Sequence, residues 1–196
     1  MRLKNKILLS LLIFMFCYPS YLIVWIKIKS YYSYGLTHVG AYLAASTMES
    51  AIKRINIDKE DAKITFIRPF YEGSKRADII IDVIVSVSHY SFNAPLSLAL
   101  ITALFPLFRW KRRSIVEVVL LLILVHLLYI YSFCCLQQYY IFSRAGIEAR
   151  STFGQLFWEF LWSFTDNMII RFEPFLVVIY LWFLNQKFLW RQRAYR

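Results

Sequence analysis

Residues 118–135 read VVLLLILVHLLYIYSFCC. The run sits inside an uncharged stretch from Val118 to Ser143. A helix needs roughly 20 apolar residues to cross the ~30 Å hydrocarbon core of a bilayer. No other segment of the chain meets that demand so plainly, so the helix is placed at 115–136. Tyr129 and Tyr131 fall towards its far end, where aromatic belts form. His126 lies in the middle. A neutral imidazole is far cheaper to bury than a charge, and no acid lies within the run, so His126 is expected to make a helix–helix hydrogen bond.

Composition supports the same solvent. Hydrophobic residues make up 59% of the 196, aromatics 19% and charged residues 18%. Soluble domains are roughly 25% charged and about 45–50% apolar. A soluble fold of this length could not bury the excess. A soluble enzyme, a disordered chain and a disulfide-stapled secreted domain are thereby excluded.

Three more apolar segments flank the central one. Ile7 to Ile26 is uncharged and follows Arg2, Lys4 and Lys6. No small-x-small cleavage site follows it, so 7–27 is expected to be an uncleaved anchor, with Pro19 as a kink. A second span is placed at 92–109, with a basic cluster from its last residue, Arg109, through Lys111, Arg112 and Arg113 of a cytoplasmic loop at 110–114. The last, 169–190, has only 13 wholly uncharged residues, Pro174 to Gln186, and needs Arg171, Glu173 and Lys187 to snorkel at its ends.

These four spans explain the net charge of +11. With the N-terminus inside, the inner segments, including the tail 191–196, hold eleven basic residues against one acid, Glu117. The first outer stretch, counted from Lys27, holds nine basic and seven acidic residues. The second, counted to Glu173, holds three and four. The excess on one side is the positive-inside pattern. It implies that both termini are cytoplasmic, and it accounts for the basic charge without nucleic acid.

The outer segment 28–91 is expected to hold a helix over LTHVGAYLAASTMESAIKRI, broken at Asn56 and Asp58, and then a β-hairpin. The hairpin strands are DAKITFIRPF and ADIIIDVIVSVSHY, with Ile79, Ile81, Val83, Val85 and Val87 on one face. An exposed strand edge would offer a route to β-augmentation. The second outer segment, 137–168, is expected to be an aromatic interfacial helix rich in Phe153, Phe157, Trp158, Phe160, Trp162 and Phe164. The fold class expected is thus a mainly α membrane protein: four transmembrane helices with a small extracytoplasmic helix plus β-hairpin.

Motifs for nucleotide, zinc-protease or serine-hydrolase chemistry are absent. With only three histidines, His38, His89 and His126, and no Cys/His metal spacing, no metal or cofactor is expected. One constellation has chemical content. Cys134 or Cys135 as nucleophile, His89 as base and Arg144 as cation would all fall near the outer interface. Buried small helix residues are the plainer reading of the two cysteines. Glu117 is expected to pair with Arg113, and Arg171 and Glu173 to anchor an interface. Ser97, Thr102, His126 and Asn185 are few for a transport path.

Two stretches carry a resemblance. HYSFNAPLSLALITALFPLF (89–108) leads from a strand through an Asn-Ala-Pro junction into a Leu/Ala-rich span. EPFLVVIYLWFLNQKFL (173–189) has a Pro near its start and a Trp…Asn…Phe-Leu ending. Both resemble the exosortase H-associated membrane proteins, whose junction is Asn-Pro where Ala94 here separates Asn93 from Pro95. The order of spans is also similar. The resemblance implies an accessory protein of a bacterial envelope sorting system, working beside a polytopic cysteine protease or transpeptidase. It brings no catalytic residues. The expected function is therefore a non-catalytic accessory or assembly subunit whose partners are the lipid bilayer and a membrane protein, an exosortase-type enzyme by the resemblance. The alternatives are a membrane-embedded cysteine hydrolase or transpeptidase, and a small transporter or channel subunit.

Overall fold

The first apolar run does not stop at residue 27. In the computed structural model, which describes residues 3–58, 61–72, 75–108, 112–147 and 151–194, one helix, α1, runs Leu3–Thr47. Lys27 and Lys29 do not break it, because nothing between residues 20 and 47 removes a backbone donor. The Ser20 hydroxyl bonds the Phe16 carbonyl at 2.8 Å, in the turn that Pro19 weakens.

Two strands were expected after α1, and the described residues form three. β1 (Ala51–Ile57), β2 (Asp61–Glu72) and β3 (Lys75–Ser86) form an antiparallel sheet in that order. β1 falls where the helical spacing of Met48, Ala51, Ile52 and Ile55 extended a helix. The helix ends instead at Thr47, followed by left-handed Glu49 (φ 48°), and Ser50 N–H closes the turn on the Ala45 carbonyl. Ile52, Ile55 and Ile57 are β-branched, and pairing with β2 decides the competition. A bulge between Ile52 and Arg54 lets them fit the ladder. β3 stops at Ser86, and Val87–Ser91 turn into a short helix, α2, where a strand had been expected to continue.

α3 (Ala94–Ala103) is ten residues, about 15 Å. The sequence reading carried this helix through 92–109, but the chain turns over residues 104–108, around Pro106. α4 runs Arg112–Arg144 and takes in residues 137–144, expected to be part of the outer helix. α5 (Thr152–Phe164), a π-helical segment Thr165–Ile170 and α6 (Arg171–Ala194) follow without a break where the reading separated two helices at 169. The π segment has a local cause. Thr165 Oγ1 donates to the Leu161 carbonyl (2.7 Å) and Asn167 Nδ2 to that of Ser163 (3.0 Å), so side-chain donors loosen the backbone ladder.

The chain divides into two compact units. One comprises Met1–Ile28, Phe92–Ile123 and Arg171–Arg196. Its core is apolar: Ile101, Val118, Leu122, Val177 and Leu181, flanked by Leu98 and Tyr180. Asn93 Nδ2 reaches the Arg171 carbonyl (3.5 Å) and Ser97 Oγ donates to Glu173 (2.8 Å), so α3 and α6 run in the same direction. Tyr180 donates to Glu117 (2.7 Å), which also receives the expected Arg113 bond at 2.9 Å.

The other unit comprises Lys29–Ser91 and Leu124–Ile170. Here α1 buries Ser33, Thr37, Ala41 and Ala44, one face at helical spacing, and Met48 just past its end is buried too. Gly40 lets the backbone approach: a Cβ there would lie 2.7 Å from Ile130 Cγ2. Tyr32 bonds His126 and Thr47 bonds Tyr131, so α1 and α4 run parallel. The sheet buries Ala62, Ile64, Phe66, Ile81, Val83 and Val85 on one face, as the alternation of β3 requires. Its other face carries Lys63 bonded to Asp82 at 2.7 Å.

Candidate functional site

The second unit holds a line of buried and half-buried polar side chains that none of its elements supplies alone. α2 turns immediately after β3 and sends Tyr90 inward, with no exposure, and His89 to the rim, about half exposed. The π segment carries Asp166 inward. His89 Nε2–H donates to Asp166 Oδ1 at 2.6 Å. The carboxylate is 9% exposed, and the bond fixes the ring so that Nδ1 is the nitrogen left for a second partner.

Behind that pair lies a row of rings. Tyr129 packs on His89 (centroids 5.8 Å) and on Tyr90 (5.7 Å). Tyr90 packs on His126 (5.6 Å), whose Nδ1 shares a 2.6 Å hydrogen bond with the Tyr32 hydroxyl. Tyr90 donates to Ser33 Oγ at 3.2 Å. Burial pushes the Tyr90 phenol up, against the opposing pull of the Ser33 bond, so it stays neutral and able to donate. The expected helix–helix bond of His126 is therefore present, to Tyr32 of α1.

The reading's constellation is rearranged. Cys134 and Cys135 have no exposure, Arg144 is exposed at the end of α4, and His89 is held by Asp166. Among the described residues, no hydrogen bond joins His89 to either sulfur. Glu173, expected at an interface, is 1% exposed and bonded by Ser97. Thr102 bonds Tyr21 at 2.9 Å. His38 makes a local bond to the Tyr34 carbonyl. Asp166 was missed as a site residue. It is the one acid between Glu159 and Glu173, a signal visible in the sequence but with no partner attached. Among the described residues, no group of three or more His, Cys, Asp or Glu could hold a metal ion.

Leu3–Thr47, Arg113–Arg144 and Thr152–Gln186 are each long and apolar enough to cross a bilayer. With a small three-stranded sheet beside them, they define a mainly helical membrane protein. Residues 2–188 match the family of exosortase H-associated membrane proteins, and the chain belongs to that family. No curated protein and no solved structure matches it.

Proposed function

We propose that the protein is a non-catalytic accessory subunit of an exosortase-type envelope sorting system, binding a polytopic enzyme in the bacterial inner membrane. The observation that carries the reading is the outward face of α5. None of its thirteen residues is buried, and Phe153, Leu156, Phe157, Phe160 and Phe164 are all exposed, with Met168 continuing the stripe. Glu159 and the Gly154 side face α4, through Tyr140 and Tyr139. The helix thus turns its polar side inward and its aromatic side outward. A stripe of that kind marks a contact surface for protein or lipid. The family's name supports a protein partner.

Four crossings with both termini inside remain the proposed topology. The positive-inside count supports it. So does the parallel course of α1 and α4, since the chain between them has to return to the level at which it began. The return crossing would use α3 with the turns at 104–108. The test is purification in gentle detergent from the native membrane, with mass spectrometry of what comes with it. A stoichiometric polytopic partner, retained when Cys134 and Cys135 are both changed to Ser, is expected. Recovery of the protein alone, with a thiol probe labelling either cysteine in a His89-dependent way, would overturn the reading in favour of an enzyme.

A further inference from the structure

β3 is twelve residues long and pairs, among the described residues, with β2 alone. Its far edge therefore carries a row of backbone N–H and C=O groups with no strand beside them. Soluble sheets guard such edges with short strands, prolines, bulges or covering elements. β3 has no proline, shows no register shift against β2, and reads ADIIIDVIVS over 77–86. The opposite edge, β1, is shorter, at seven residues, and carries a bulge, whereas both edge strands carry charges: Lys53 and Arg54 in β1, Lys75, Arg76, Asp78 and Asp82 in β3.

The exposed side of β3 has a pattern. Asp78, Ile80, Asp82 and Ile84 alternate outward, Ile80 55% and Ile84 59% exposed, against the buried Ile81, Val83 and Val85. Asp82 is held ionised, its carboxyl lowered by the Lys63 and Thr65 hydrogen bonds. A second copy of the chain is a poor occupant. In every two-fold antiparallel register centred on residues 79–83, an aspartate would stand directly opposite or diagonal to an aspartate of the copy, and like charges there repel. The same spacing favours a strand with Lys or Arg where β3 has Asp and an apolar side chain where it has Ile.

We propose that the β3 edge is the docking site for an extended segment of a partner protein, alternating basic and apolar residues on one face, which joins the sheet as a fourth strand. The proposal deepens the accessory reading and rests on it. Backbone pairing would supply the affinity, and the Asp78–Asp82 spacing the choice of segment.

The probe is a fluorescent decapeptide, Thr-Lys-Thr-Ile-Thr-Lys-Thr-Ile-Thr-Lys, titrated by anisotropy against the full chain in nanodiscs. Two control peptides replace every Lys by Glu, or N-methylate alternate residues to block strand pairing. The basic peptide is expected to bind at least tenfold more tightly than either control. The Asp78→Lys/Asp82→Lys variant is expected to reverse the preference towards the Glu peptide. Binding indifferent to N-methylation, no binding by 1 mM peptide (a free energy of about −4.1 kcal/mol), or a disulfide dimer through Ile84→Cys would each overturn the proposal. Native-membrane purification separates the two readings. A partner that still co-purifies undiminished with Asp78→Lys/Asp82→Lys leaves the accessory role standing and removes the edge from it. No partner with the wild-type chain removes the accessory role whatever the peptide does.

Discussion

The two units solve the burial of polar groups in different ways. In the first, polar contacts such as Ser97 to Glu173, Tyr21 to Thr102 and Tyr180 to Glu117 sit around an apolar core. In the second, polar side chains form a connected line from Tyr32 through His126, Tyr90 and Tyr129 to His89 and Asp166, and aromatic side chains face outward on α5. Lipid offers helices no hydrophobic drive to associate, so packing and hydrogen bonds between helices hold such a bundle, each bond giving about 0.6 up to 1–2 kcal/mol. The first unit therefore depends on shape and the second on a specific set of partners. Substitutions should separate them.

The largest effect is expected from Val177→Asp, which buries an unpaired carboxylate in the first unit's core among Ile101, Val118, Leu122 and Leu181 and should cost more than about 4 kcal/mol, or abolish folding. Thermal unfolding in detergent checks it. An unchanged melting temperature would mean that this apolar core does not hold the first unit together.

Asp166→Ala comes next. It leaves the His89 donor without its acceptor and should cost about 1.5–3 kcal/mol, as for a hydrogen bond to a charged group. Ser97→Ala, its counterpart in the first unit, also removes a hydrogen bond to a carboxylate, the buried Glu173, and should cost a similar amount, about 1.5–3 kcal/mol. A much smaller loss at either site would show that its remaining group is satisfied by other partners.

A glycine pair tests shape inside the second unit itself. Gly40→Ala would press a methyl to 2.7 Å from Ile130 and should cost about 1–3 kcal/mol. Gly35→Ala, with nothing within 4 Å, should stabilise α1 by about 0.5–1 kcal/mol. Opposite signs in denaturant melts are the expected outcome.

Phe160→Ser, on the open face of α5, should move stability by no more than about 0.5 kcal/mol while reducing recovery of a partner from the membrane. A large fall in stability would instead place that ring in the fold's own core.

The smallest effect concerns acid. The folded pKa of Asp82 lies below its unfolded value, so its contribution is present above the ordinary aspartate range and fades as pH falls through the folded pKa. The Asp82→Asn variant should therefore show a flatter melting-temperature profile than wild type below about pH 4, with the two converging in strong acid.

Much of this was legible in the residues themselves. The apolar runs, the alternation of Ile79 to Val87 and the Arg113–Glu117 spacing are local patterns whose physical cause acts within a few residues. So is the apolar composition, and the stretches 89–108 and 173–189 carried the family. Packing between distant segments settled every choice in which two local answers were nearly equal. Residues 51–57 suit a helix or a strand, and pairing with β2 made them a strand. Residues 28–35 suit a loop or a helix, and packing of Ser33 and Leu36 continued α1. His89 could have faced a thiol or a carboxylate, and the π turn, more than seventy residues away in the chain, brought Asp166 to it. Such partners are set by packing between distant segments, and no short pattern encodes them.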